Sequence, residues 1–157
     1  MTKNNIRKRI GIVIENIKFD RIIFDIPSND DLSRYIDCDN SRIPFTINNN
    51  YKINELNDDC LLIIVVEKSN VNGKVIEKIA NTRTFHQSNL IVIHKKFNLK
   101  SNHELHESLM SFGFKLLFQE EQEKIFYDIY EYNIIDYKNK PEWLNSDYWA
   151  NPELWEK

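Results

Sequence analysis

Glycine is scarce in this chain: Gly11, Gly73 and Gly113 are the only three in 157 residues. Loops that cradle a phosphate or a nucleotide use glycine for positive φ and for close approach of the backbone. No phosphate-binding loop, no Gly-x-Ser-x-Gly elbow and no cysteine–histidine pairing is present, so acyl and phosphoryl transfer have nothing to rest on. Cysteine is equally sparse. Cys38 and Cys60 fit a reducing compartment rather than a disulfide framework, and Cys60 opens an apolar run as a small buried residue. Basic excess is missing too: 21 Lys and Arg against 24 Asp and Glu give a formal net charge of −3. A general nucleic-acid binder would carry a basic domain. Long hydrophobic runs are absent; the longest, Cys60 to Val66, is far too short to span a bilayer. Charged residues and asparagine interrupt the first residues, so no secretory signal is expected and a cytoplasmic location is the default.

What is present supports one domain with a real core, since 41% of residues are hydrophobic and 12% aromatic. Ile6, Ile10, Val13, Ile14 and Ile17 recur at helical spacing and predict a helix over 4–19 with one buried stripe. Arg7, Lys8 and Arg9 cluster on it, either as a solvated flank or toward an acidic or phosphate-bearing partner. Arg21 to Ile26 reads as a strand stopped by Pro27-Ser28-Asn29-Asp30. A short helix over 31–36 and a short strand over 43–47 are expected next. Cys60 to Val66 and Leu90 to Ile93 lack alternation, as strands covered on both faces do. A helix near Val75, Ile76 and Ile79 joins them. Ser101 and Glu104 match a capping box for a helix that Gly113 ends. Phe114 to Phe118 and Ile125 to Tyr132 read as a hairpin around the polar stretch 119–124.

The pattern predicts an α/β, Rossmann-like three-layer sandwich, mostly parallel and closed by a C-terminal antiparallel hairpin. Residues 1–136 form the domain and 137–157 an aromatic tail. All three tryptophans, Trp143, Trp149 and Trp155, fall in the last fifteen residues beside Tyr148. A buried indole removes on the order of 150–250 Å² from water, so the tail is expected to clasp its own domain or dock on a protein partner, including a second copy. Glu142, Asp147, Glu153 and Glu156 against Lys157 would repel phosphates there, which disfavours nucleic acid.

Asp58 to Val65 resembles the fourth strand of class I methyltransferases, and Phe112-Gly113-Phe114 with Ile125-Phe126-Tyr127 resembles their last helix and closing hairpin. The run Asp147-Tyr148-Trp149-Ala150-Asn151-Pro152-Glu153, with Asp136-Tyr137-Lys138 before it, is similar to the ending of an uncharacterised family of small proteobacterial proteins. That resemblance spans about residues 58–157 and implies a methyltransferase-like fold with no established activity. The departure from the methyltransferase pattern lies after the first strand. There Asp25-Ile26-Pro27-Ser28-Asn29-Asp30-Asp31 replaces a glycine-rich turn, adding side chains and a fixed φ where S-adenosylmethionine would lie. No cofactor is therefore expected. A non-catalytic scaffold or interaction module is the leading expectation. The alternatives are a small-molecule binder and a methyltransferase with an atypical glycine-free loop.

Three side chains stand near the ends of predicted parallel strands, where open α/β sheets bind ligands: Asp25, Ser28 and Glu67. Carboxylates at such positions also serve as helix caps and loop anchors. His103-Glu104-Leu105-His106-Glu107 sets its histidines at i and i+3 rather than i and i+4, and no third ligand is evident, so no metal is expected. Asn151-Pro152 reads as a turn.

Overall fold

The computed structural model describes residues 5–39, 42–52, 56, 59–67, 71–85, 89–98 and 103–132. The aromatic tail with Trp143, Tyr148, Trp149 and Trp155 lies outside the described residues, as does Ser101. The elements in chain order are α1 (Asn5–Glu15), β1 (Arg21–Asp25), a single 3₁₀ turn (Leu32–Arg34), β2 (Phe45–Ile47), β3 (Cys60–Glu67), α2 (Gly73–Phe85), β4 (Leu90–Lys96), α3 (Glu104–Ser111), β5 (Lys115–Gln122) and β6 (Ile125–Tyr132).

The six strands form one sheet in the order β2-β1-β3-β4-β6-β5. β2, β1, β3 and β4 run parallel, while β6 is antiparallel to both β4 and β5. The chain leaves β1, lays β2 on its outer flank, and returns to place β3 on the other flank. The strand order therefore reverses between β1 and β3, the position at which open α/β sheets form their ligand crevice.

Alternation along the strands sorts the core into two layers. Ile22, Phe24, Leu61, Ile63, Val65, Ile91, Ile93 and Ile129 pack with Ile6, Ile10 and Val13 of α1. Ile23, Leu62, Ile64, Val66, Leu90, Val92 and Tyr130 pack with Ile79 of α2 and Leu105 and Leu109 of α3. We call these the α1 face and the α2 face. Every residue of β3 and of β4 is buried, which accounts for their unalternating sequences. A fully buried isoleucine or leucine contributes about 1.5–3 kcal/mol, so these two strands dominate the core.

Local chemistry sets the boundaries. α3 opens at Glu104 with His103 as its N-cap, and His103 makes no side-chain capping bond. Glu104 is thus the first helical residue; the expected capping box turns on Ser101, which lies outside the described residues. Gly113 at φ 90° ends α3, with Gly113 N–H on the Met110 carbonyl (3.1 Å) and Phe114 N–H on that of Leu109 (3.0 Å). Arg83 reinforces this end by donating from Nη1 to the Phe112 carbonyl at 2.9 Å, its guanidinium lying over the Phe112 and Tyr132 rings. The polar stretch 119–124 is not a loop. β5 continues through Gln122, and the turn is Glu123-Lys124 alone, with φ of 54° and 64°. Two non-glycine residues in the left-handed region match the twist of a tight hairpin. A register shift between Leu116 and Phe118 lets Leu117 and Phe118 both face the α1 layer.

Candidate functional site

The crevice between β1 and β3 is built from strand ends whose parity decides which way each side chain faces. Asp25 follows Ile23 onto the α2 face; Glu67 follows Val65 onto the α1 face. The two carboxylates therefore do not converge. Ser28 is brought to neither, being exposed in the turn after β1.

On the α2 face, Asp25 accepts from Lys78 Nζ at 2.5 Å, and Lys78 also reaches the Asn49 carbonyl at 3.3 Å. The ammonium stands 4.9 Å from the centre of the Tyr51 ring. Tyr51 Oη lies 3.4 Å from Thr82 Oγ1. Burial raises the Asp25 carboxyl above the ordinary aspartate range, against the pull of Lys78. It also pushes the Tyr51 phenol up to about 12. A pocket of about 130 Å³ opens beside the pair, walled by Ile64, Val65, Val66, Val75 and Ile79. Lys78 is 39% exposed and separates this pocket from a shallow groove along α2.

On the α1 face the strand-end side chains are buried. The segment after β1 turns through Pro27 to Asp30, the Asp30 N–H meeting the Pro27 carbonyl at 3.0 Å. None of its residues takes a positive φ. This turn drives Asp30 inward until its side chain is only 1% exposed. Asp30 Oδ1 accepts from Lys95 Nζ at 3.3 Å and Oδ2 from Tyr35 Oη at 2.5 Å. Lys95, the β4 residue beside Glu67, also contacts Glu67 Oε1 at 3.2 Å. Arg34 Nε stands 4.0 Å from Asp30. Tyr35 is buried edge-on against Tyr127, and burial carries its phenol far above the ordinary tyrosine range, with Asp30 adding to the shift. Asp31, outside this cluster, caps the 3₁₀ turn by accepting from Ser33 N–H at 2.9 Å.

Further pairs account for other polar residues. Lys96 and Asp128 form a buried ion pair on the α2 face, and Gln119 donates to Asp128 at 3.2 Å. His106 Nδ1 and Tyr130 Oη are 2.8 Å apart. No cluster of three potential metal ligands occurs among the described residues. The basic run of α1 is partly engaged inside the molecule: Arg7 donates to the Ser33 carbonyl, and Arg9 pairs with Glu120 at 2.5 Å over the Phe118 ring. No helix of the described residues is long and apolar enough to cross a membrane.

Sequence reasoning named Asp25 and Glu67 but missed Asp30, Tyr35, Lys78 and Lys95. One signal was available. Lys95 and Lys96 follow five buried residues without a break, so two ammonium groups at the end of a fully covered strand require partners.

A family model describing a family of unknown function (DUF6231) matches residues 32–157, about four fifths of the sequence. The chain belongs to that family. No curated protein matches it. Among solved structures, precorrin-6y C5,15-methyltransferase from Geobacter metallireducens GS-15 is similar at 14% identity, covering 85% of this chain and 90% of that one with a TM-score of 0.51. A protein in the NADB-Rossmann superfamily from Streptococcus agalactiae is also similar at 14% identity, covering 80% of this chain and 68% of that one with a TM-score of 0.42. At such identity the likeness shows the fold alone: α/β, Rossmann-like, with a mostly parallel six-stranded sheet like that of methyltransferases.

Proposed function

We propose that this family member is a non-catalytic, methyltransferase-like scaffold that works through protein interaction. One observation carries the reading. The crevice at the switch point is filled on its α1 face by the chain's own Asp30, Lys95, Glu67 and Tyr35, all buried or nearly so. An adenosyl group fits these residues poorly. The turn after β1 contains no glycine and no positive φ, and it places a carboxylate where a ligand would need open space. No cofactor enters this reading. The acidic balance and the inward engagement of Arg7 and Arg9 also disfavour nucleic acid as the partner. The partner or clasp surface is assigned to Trp143, Tyr148, Trp149 and Trp155, on the strength of their residue types alone. A cytoplasmic location goes with it.

The test is a thermal shift with S-adenosylmethionine and S-adenosylhomocysteine. A ligand at 100 times its Kd stabilises by about 2.7 kcal/mol, or about 5–10 °C for a domain of this size. No shift is expected. A shift of that size would establish the alternative, a methyltransferase or small-molecule binder with an atypical loop. For the tail, removal of residues 137–157 with unchanged melting but a lost oligomer or partner supports docking. A large loss of melting temperature supports a clasp.

A further inference from the structure

The Asp30 carboxylate is bound as a ligand carboxylate would be. One oxygen accepts from the neighbouring Asp31 N–H at 2.9 Å and faces the Lys95 ammonium at 3.3 Å, and the other meets the Tyr35 hydroxyl at 2.5 Å. The two side-chain donors, Lys95 and Tyr35, lie outside the segment that carries Asp30. Lys95 is on β4, and Tyr35 is 1% exposed and packed against Tyr127. The segment itself, Pro27 to Arg34, lies between the buried anchors Ile26 and Tyr35. Its 3₁₀ turn contains no buried residue, and Leu32 is the only side chain it lends to the core cluster, partly covered. Its remaining pins to the rest of the molecule are polar: Arg7 on the Ser33 carbonyl, Arg34 beside Asp30 and on Tyr127, and Asp30 on Lys95. A segment with so little apolar burial opens at low cost relative to global unfolding.

We propose that Lys95 and Tyr35 form a receptor for the carboxylate group of a small monocarboxylic acid, held shut by the chain's own Asp30 on a displaceable segment, Pro27–Arg34. Charge selects the class. With the segment in place, Lys95 and Arg34 balance Glu67 and one further carboxylate, so in D30A a monoanion restores neutrality; with the segment displaced only Lys95 faces Glu67, and a phosphate dianion adds twice the charge of a monoanion there. The inference rests on the reading that the crevice is self-occupied. It adds that the occupant can be exchanged.

Sodium formate, the group that Asp30→Ala deletes, is the probe, with sodium chloride at matched ionic strength as reference and sodium phosphate as the competing anion. In D30A, formate restores most of the lost melting temperature and phosphate does not. In D30A combined with K95M, formate restores nothing. A response no larger than chloride's in D30A, or one that survives K95M, overturns the proposal. Should D30A not fold, the wild-type chain decides. The tethered carboxylate has an effective concentration of about millimolar or more, so formate is titrated to several hundred millimolar against it. Amide exchange at Asp30, Arg34 and Tyr35 accelerates several-fold while that of β3 is unchanged; no difference from chloride overturns the proposal. A shift with S-adenosylmethionine would break the scaffold reading without touching these formate results, and the converse holds.

Discussion

Two ionic groups sit at the same end of the same sheet, and they behave as opposites. Asp25 and Lys78 meet at the rim of the α2 face, with Lys78 39% exposed and a small apolar pocket beside them. Asp30, Lys95 and Glu67 meet under the α1 face, with exposures of 1%, 7% and 12%. Strand parity sends Asp25 and Glu67 to different layers, where their surroundings decide the rest. At the rim, a solvated lysine neutralises a carboxylate that burial penalises. Under the α1 face the three side chains are nearly buried, and each charge depends on the others. Such a group adds less to stability than its contacts suggest, but it punishes the loss of any single member. It specifies where the segment after β1 must lie.

The largest expected effect follows from that dependence. Lys95→Met keeps most of the side-chain volume and strands two carboxylates, so it should cost about 3–5 kcal/mol in urea unfolding. Lys78→Met, made at the rim, should cost within about 1 kcal/mol, because Asp25 retains partial access to water. Adding Asp30→Asn and Glu67→Gln to Lys95→Met should recover most of the loss. Equal costs for the two lysine variants would erase the distinction between the groups.

The tyrosine partners sharpen the comparison at a smaller scale. Tyr35 donates to Asp30 at 2.5 Å, and Phe at this position leaves a buried carboxylate oxygen without its phenol. A bond to a charged group is worth about 1.5–3 kcal/mol, and Tyr35→Phe should lose that much by the same unfolding measurement. Tyr51 makes a weak 3.4 Å contact with Thr82 Oγ1 and also helps to hold the Asp25 carboxyl, which Lys78 holds as well, so Tyr51→Phe should lose about 1 kcal/mol, less than Tyr35→Phe. An alkaline titration followed by phenolate absorbance checks the same pair. The Tyr51 phenol is raised from 10 to about 12, so its contribution to stability is intact below pH 10 and is lost as pH rises toward 12.

The sequence displayed the strands and helices far better than the site. Continuous apolar runs marked β3 and β4 because burial on both faces leaves no polar position, and the isoleucine stripe marked α1 because one helical face is covered. Gly113 marked the end of α3, since the chain there requires φ near 90°. The hairpin turn was hidden, because Glu123 and Lys124 take left-handed backbone that their residue types do not advertise. Asp25 and Glu67 were visible as strand-end carboxylates, but their opposite facing depends on where each strand begins its alternation. Asp30 and Lys95 are 65 positions apart, and nothing local in either segment announces the other. Only the strand order brings them together.

The smallest effect is the most exacting test of the rim, because its sign is unusual. Asp25 has a folded-state pKa raised above its unfolded value, chiefly by burial and in spite of Lys78. A carboxyl shifted that way stabilises the fold below the unfolded pKa, near 3.8, and loses that contribution as pH rises through the folded value. At neutral pH the ionised group therefore weighs against folding. Asp25→Asn should leave the protein as stable as wild type or more so, by no more than about 1 kcal/mol, although it deletes an ion pair. The advantage should shrink as pH falls below the ordinary carboxylate range, where wild-type Asp25 is protonated in both states. Urea midpoints at pH 7 and near pH 3.5 measure it. A clear loss of stability in D25N at pH 7 would mean that Lys78 holds Asp25 as firmly as Lys95 holds Asp30, and the two faces would then share one kind of ionic group.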